Sequence, residues 1–298
     1  MFKEFRHLPD GCRVRVALTE LMKKFPFLHL ILFVLTIFST LFVGAMQTGA
    51  DLLKEPFKIY KGIPFSLTLM LILLSHELSH YFASKIHGVK ATLPYFIPAP
   101  TIIGTFGAFI KMKSPIVTRR ALIDIGASGP IAGFIISLIA SIFGLVLSNI
   151  VPVSQTGGAL NLGDSLLFSF LSQTILGTAP SGSDVLLNPV AFAGWIGLFV
   201  TSINLIPVGQ LDGGHIAYAM MGEKHIHLSI ALILIMILLG LLSWEGWFVW
   251  GALLLILGLR HPPVLYWEVP LDRKRRFVGW VALVIFVLTF IPVPFKIL

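Results

Sequence analysis

The sequence predicts an all-α polytopic membrane protein with about seven transmembrane helices and a small membrane-associated β-strand region between the second and third. Composition is the first reason. Of 298 residues, 56% are hydrophobic and 12% charged, with a mean hydropathy of +0.91; soluble domains are about a quarter charged. The second reason is that apolar runs long enough to cross a bilayer as helices recur along the chain. The third is that residues 88–114, between two such runs, are too broken by Pro94, Pro98, Pro100, Gly104 and Gly107 to be helical. A soluble enzyme and a disordered chain are excluded, because 22 Lys+Arg and 14 Asp+Glu cannot clothe a soluble surface. A disulfide scaffold is excluded by the single cysteine, Cys12. The net charge of +8 names no nucleic-acid partner, since basic residues in a membrane protein gather in cytoplasmic loops.

The spans are expected at 25–46, 64–83, 127–150, 189–207, 227–242, 247–259 and 277–295. The sixth is short and joins the fifth as a helical hairpin. Residues 1–24 form a basic segment, and the run after it is too long for a signal peptide, so the first span is expected to be retained. Between spans two and three, the alternation of apolar and small residues from Gly104 to Lys113 suggests strands or a hairpin. The loop 151–188 has no Lys or Arg, whereas the N-terminal segment, the 85–120 region and the stretch Arg260 to Arg276 are basic. This asymmetry predicts a multi-pass cell-membrane protein with a cytoplasmic N-terminus and an outer C-terminus, and 151–188 as an outer loop carrying a surface helix near 165–176. The organisation expected is a basic segment 1–24, a first helix and loop 25–63, a three-span core 64–215 and C-terminal helices 216–298.

The second span ends in Leu73-Leu-Ser-His76-Glu77-Leu-Ser-His80. Histidines four apart project from one face of a helix and can bind one metal ion, and Glu77 can reach a water on that metal without ligating it. Such polar groups are costly in hydrocarbon, which argues for a task. A catalytic zinc takes three protein ligands, and His29, His87, His215, His225, His227 and several acids are candidates by type for the third. Topology favours Asp212. The fourth span ends on the same side as the histidine pair and leads into Asn204-Leu-Ile-Pro207-Val-Gly-Gln-Leu-Asp212-Gly-Gly-His215.

His76-Glu77-Leu-Ser-His80 and Asn204-x-x-Pro207-x-x-x-Leu211-Asp212-Gly213, with Gly129-Pro-Ile-Ala-Gly133 in the span between, resemble the site-2 protease family of intramembrane zinc metalloproteases. The resemblance covers about half the chain, from Pro64 to His215. It implies one Zn2+ per chain held by His76, His80 and Asp212, with Glu77 as general base. It implies a transmembrane protein substrate, cut within the lipid bilayer or beside it, whose backbone is positioned by Asn204 and Pro207. It also makes 88–113 the strand region that engages an unwound substrate, a role in which Thr105, Phe106 and Gly107 would bind it. No segment reads as an inserted PDZ-type domain, so a compact member is expected; Gly104-Thr-Phe-Gly107 with Ile123-Asp124 through Pro130 is similar to compact members of prokaryotes and chloroplasts.

Other polar residues have plainer readings. Gly129 and Gly133 are expected to let helices approach. Asp124 is expected to pair with Arg119 or Arg120, and His215 to lie beside the site or face solvent. Nothing in the sequence ties His29 to the metal. A metal-ion transporter or sensor would share the His76, His80 and Asp212 donors, but would leave Glu77 without a task and lacks polar residues lined up through the membrane. Another seven-span protease with the same His-Glu-x-x-His motif would draw its third ligand from a different motif.

Overall fold

The computed structural model describes residues 26–152, 161–180 and 182–296. The basic segment with Cys12 and the Ser154–Gly158 stretch lie outside the described residues. Each apolar run becomes a helix, because in a lipid-like setting a helix satisfies its own backbone groups. In chain order these are α1 (Phe27–Gln47), α2 (Ile63–Ile86), α3 (Arg119–Val146), α4 (Leu166–Leu176), α5 (Pro189–Asn204), α6 (Asp212–Met221), α7 (His225–Leu242), α8 (Gly246–Leu257) and α9 (Arg273–Thr289). Four helical segments are long and apolar enough to cross a membrane: Phe27–Gln47, Pro56–Ile86, Arg119–Val146 and Asp212–Leu242. The last joins α6 and α7 through a tight turn at Gly222–Lys224. α4, α5 and α8 are apolar but shorter.

Local chemistry sets the boundaries. Pro64 and Pro189 stand in the first turns of α2 and α5, where a missing N–H costs nothing. Thr118, Ser165, Asn188 and Asp272 cap α3, α4, α5 and α9 by accepting a backbone N–H. α3 begins earlier than its apolar run because Thr118 caps it ahead of the charged Arg119–Asp124 turn.

α3 is the central helix and lies against α2, α4, α5, α6 and α9. Small residues make this possible. A Cβ on Gly144 would stand 2.1 Å from the Ala191 nitrogen, and one on Gly194 2.7 Å from the Ser141 nitrogen, so α3 and α5 touch nearly backbone to backbone. Trp195 and Trp247 are fully buried among Phe199, Phe290 and Phe295, and their indole N–H groups donate to the carbonyls of Gly163 and Pro292.

The interval between α2 and α3 holds β1 (Tyr95–Pro98) and β2 (Thr105–Phe109), an antiparallel pair with Tyr95 opposite Phe109 and Pro98 opposite Thr105. The chain reverses at Gly104, whose φ is +82°. The pair lies along α1: His29 contacts the Pro94 carbonyl at 3.0 Å, Ser39 donates to that of Gly104 at 2.6 Å and Gln47 to that of Ile102 at 3.2 Å. Between His29 and Gln47 α1 rises about 27 Å, so the hairpin follows nearly the whole helix. Two further antiparallel pairs close the 147–188 region and the C-terminal end: β3 (Asn149–Pro152) with β5 (Ser183–Leu186), and β4 (Asn161–Leu162) with β6 (Phe295–Lys296).

Candidate metal centre

His76, Glu77 and His80 lie in the C-terminal half of α2 and are all buried. Their spacing stacks the two imidazoles on one face, with ring centres 4.8 Å apart. α5 ends at Asn204, and the chain folds back so that α6 begins at Asp212. Glycine allows the fold: Gly209 takes a φ of +57°, and a Cβ on Gly213 would stand 2.0 Å from the Leu205 carbonyl oxygen. Asp212 Oδ2 thereby comes to 3.2 Å from His80 Nε2 and 3.3 Å from His76 Nε2, and the two nitrogens are 3.1 Å apart.

The donor set fits a cation. His80 Nδ1 lies 2.7 Å from the Ile125 carbonyl, which can only accept. Nδ1 therefore carries a proton, and Nε2 is the nitrogen that faces the Asp212 oxygen; in the neutral ring it does so with a lone pair. Two lone pairs at this distance repel unless something positive sits among them. Ligands at 2.0–2.1 Å from a tetrahedral zinc are roughly 3.3 Å apart, close to all three sides of this triangle. Among the described residues this is the one group of three or more His, Cys, Asp or Glu placed to hold a metal ion.

α3 forms the back wall. A Cβ on Gly129 would fall 2.1 Å from His80 Nε2, one on Gly133 3.1 Å from His76 Nδ1, and one on Gly126 2.9 Å from the His215 Cβ. The two glycines read as packing positions do let helices approach, and what they admit is the histidine pair itself. Pro130 stands inside this helix and leaves the Gly126 carbonyl without its usual partner.

The remaining sequence-selected residues divide. Asn204 Nδ2 reaches to 3.4 Å from His76 Nε2. Pro207 lies in the turn, its carbonyl accepting from the His225 ring. Thr105, Phe106 and Gly107 are on β2, outside the donor triangle. Thr105 is buried and donates to the Ile97 carbonyl at 2.8 Å, whereas Phe106 is 73% exposed. The hairpin touches the site at its base, where the Ile110 N–H is directed at the Glu77 carboxylate. Asp124 pairs with neither Arg119 nor Arg120. It takes Arg275 at 2.5 Å and His87 at 2.8 Å, while Arg119 donates to the Ala219 carbonyl and Arg120 to that of Pro270. His29 holds the hairpin, and His215 meets His261 at 2.6 Å. Backbone partners such as the Ile125 carbonyl carry no sequence signal, and His225 and His261 stand out only as polar residues at the edges of apolar runs.

A family model described as Peptidase family M50 matches residues 64–243. The chain belongs to this family, the site-2 proteases. The M50 chain is similar to the protein named "Probable zinc metalloprotease EGY2, chloroplastic" of Arabidopsis thaliana, with 33% identity over 248 residues covering 82% of this chain and 43% of the relative. It is likewise 34% identical over 239 residues to "Probable zinc metalloprotease EGY1, chloroplastic" of the same plant, covering 78% and 43%. It thus spans less than half the length of these curated relatives. No solved structure matches it. The matched segment contains the donor triangle, Glu77, the hairpin and the α5–α6 turn.

Proposed function

We propose that this chain is an intramembrane zinc endopeptidase that hydrolyses peptide bonds within or next to transmembrane segments of other proteins. The observation that carries the reading is the triangle of His76, His80 and Asp212 donor atoms with Glu77 beside it, the two histidines and Glu77 lying in the C-terminal half of a helix long enough to cross a membrane. Family membership and the names of the relatives support the same reading.

His76, His80 and Asp212 hold the zinc, which when bound supplies Lewis acidity to acidify a water and polarise the scissile carbonyl. Glu77 accepts the proton from the attacking water and returns it to the leaving amine nitrogen. Its burial keeps bulk water from competing for that proton, and the Ile110 N–H orients the carboxylate. Asn204 and Pro207 steady the substrate backbone beside the metal. A substrate helix must unwind to offer a peptide bond, and pairing with the β2 edge at Thr105, Phe106 and Gly107 replaces the hydrogen bonds lost.

In this reading all seven apolar runs cross the bilayer. The core is 64–215, with the 1–24 segment and 25–63 before it and the helices of 216–298 after it. The site opens towards the face bearing the basic loops, which in a cell membrane is the cytoplasmic one. Glu77→Gln tests the reading with purified chain, metal analysis and single-span substrates. It is expected to retain zinc and to lose cleavage by about 10²-fold or more, whereas His76→Ala and Asp212→Ala lose both. A Glu77→Gln variant that cleaves like the parent would end the proposal.

A further inference from the structure

Residues beyond 243 lie outside the segment that the family model matches, yet they reach the metal-bearing turn and the helix behind it. That turn is held by close backbone contacts at glycine: a Cβ on Gly214, in the first turn of α6, would stand 2.4 Å from the Gly209 carbonyl oxygen. The end of α8 closes on it: a Cβ on Gly209 would stand 2.2 Å from the Gly258 carbonyl oxygen.

His261 follows. Its Nδ1 is 2.6 Å from the Pro262 carbonyl, so Nδ1 carries the proton and Nε2 offers a lone pair. That lone pair lies 2.6 Å from His215 Nδ1, which must therefore be the donor. Tyr218 stacks on the His261 ring at 4.4 Å and 16°. Burial holds that ring below its ordinary pKa of 6.5, which keeps the lone pair free to accept. His215 and Tyr218 are the residues of α6 nearest Asp212 that point at this segment. Arg275 then grips Asp124 through both Nε and Nη2. Asp124 precedes Ile125, whose carbonyl orients His80, and it also holds His87 at the end of α2.

We propose that residues 258–275 clamp the metal centre, with His261 and Arg275 as positioning residues. His261 fixes α6 through His215 and so sets Asp212. Arg275 fixes α3 against α2 through Asp124 and so sets His80. The inference rests on the three donors holding zinc.

The test uses the full chain in lipid nanodiscs, as parent and as His261→Phe, His261→Gln, Arg275→Ala and Arg275→Lys. Zinc dissociation constants come from chelator competition, and ligand geometry from the visible absorption bands of the cobalt(II)-loaded chain. His261→Phe keeps the stack on Tyr218 and removes the acceptor, while His261→Gln restores an acceptor. Direct partners of metal-ligating side chains contribute 10–100-fold to metal affinity, and His261 and Arg275 stand one contact further out, so His261→Phe and Arg275→Ala are expected to weaken zinc by about 3- to 10-fold and to shift the cobalt bands. His261→Gln and Arg275→Lys are expected to recover most of the affinity. Parental affinity and spectrum in both truncating variants overturn the clamp and leave the protease reading intact. Affinity lost in the truncating variants and not recovered in the conservative ones assigns the loss to misfolding and also overturns it. A parent chain that binds neither zinc nor cobalt overturns both readings.

Discussion

Gly129 has no side chain, and His80 occupies the place where one would stand. A methyl group there would lie 2.1 Å from the nitrogen that faces Asp212, inside any permitted contact. His80 cannot swing aside without releasing the Ile125 carbonyl that fixes its tautomer. Gly129→Ala is therefore expected to reduce bound zinc and cleavage by about 10-fold or more. Gly133→Ala should cost less, since its methyl would meet His76 Nδ1 at 3.1 Å, a distance that a small shift relieves. Metal analysis of the purified variants decides the matter, and parental zinc content in Gly129→Ala would refute it. The glycines were visible in the sequence as a packing motif. Their facing the histidines was not, because facing depends on the rotation of α3 against α2.

At the scale of elements, α1 and the hairpin form one unit. His29, Ser39 and Gln47 all bond to hairpin carbonyls, and the aromatic rings of Phe33 and Phe96 meet edge to face at 5.0 Å. Backbone at membrane depth needs such partners, and each hydrogen bond of this kind contributes about 0.6–2 kcal/mol. The triple variant His29→Phe, Ser39→Ala, Gln47→Leu leaves the donor triangle untouched. It is expected to retain zinc while the KM for a single-span substrate rises several-fold, because β2 is no longer held in place beside Glu77. Steady-state kinetics with metal analysis check this; an unchanged KM would show that the anchoring has no part in substrate capture. The prolines and glycines of 88–114 already excluded a helix there. The anchoring to α1 was hidden, since His29 gives no local hint of a partner 65 residues away.

For the whole molecule, charge asymmetry and the helix order make a prediction about sides. The basic segment with Cys12 and the loop carrying α4 should face opposite compartments. Because Cys12 is the single native cysteine, labelling is clean. In sealed cells a membrane-impermeant maleimide should spare native Cys12 and modify Gln173→Cys in a Cys12→Ser background, Gln173 being exposed on α4. The reverse pattern would invert the proposed orientation.

The sequence by itself determined the solvent of this protein, the helical runs and the chemistry of its donors. Each of these depends on composition or on spacing along one helix, as with His76 and His80 on successive turns. Tertiary structure alone decided what stands behind each donor. Asp212 reaches the histidines because glycines let the α5–α6 turn fold onto itself, and Ile125 fixes His80 through a carbonyl that every residue possesses. Asp124 bonds to Arg275, 151 residues away, rather than to its neighbours Arg119 and Arg120. Such pairings come from close packing around α3, and packing is a property of helices in contact that no single stretch of sequence encodes.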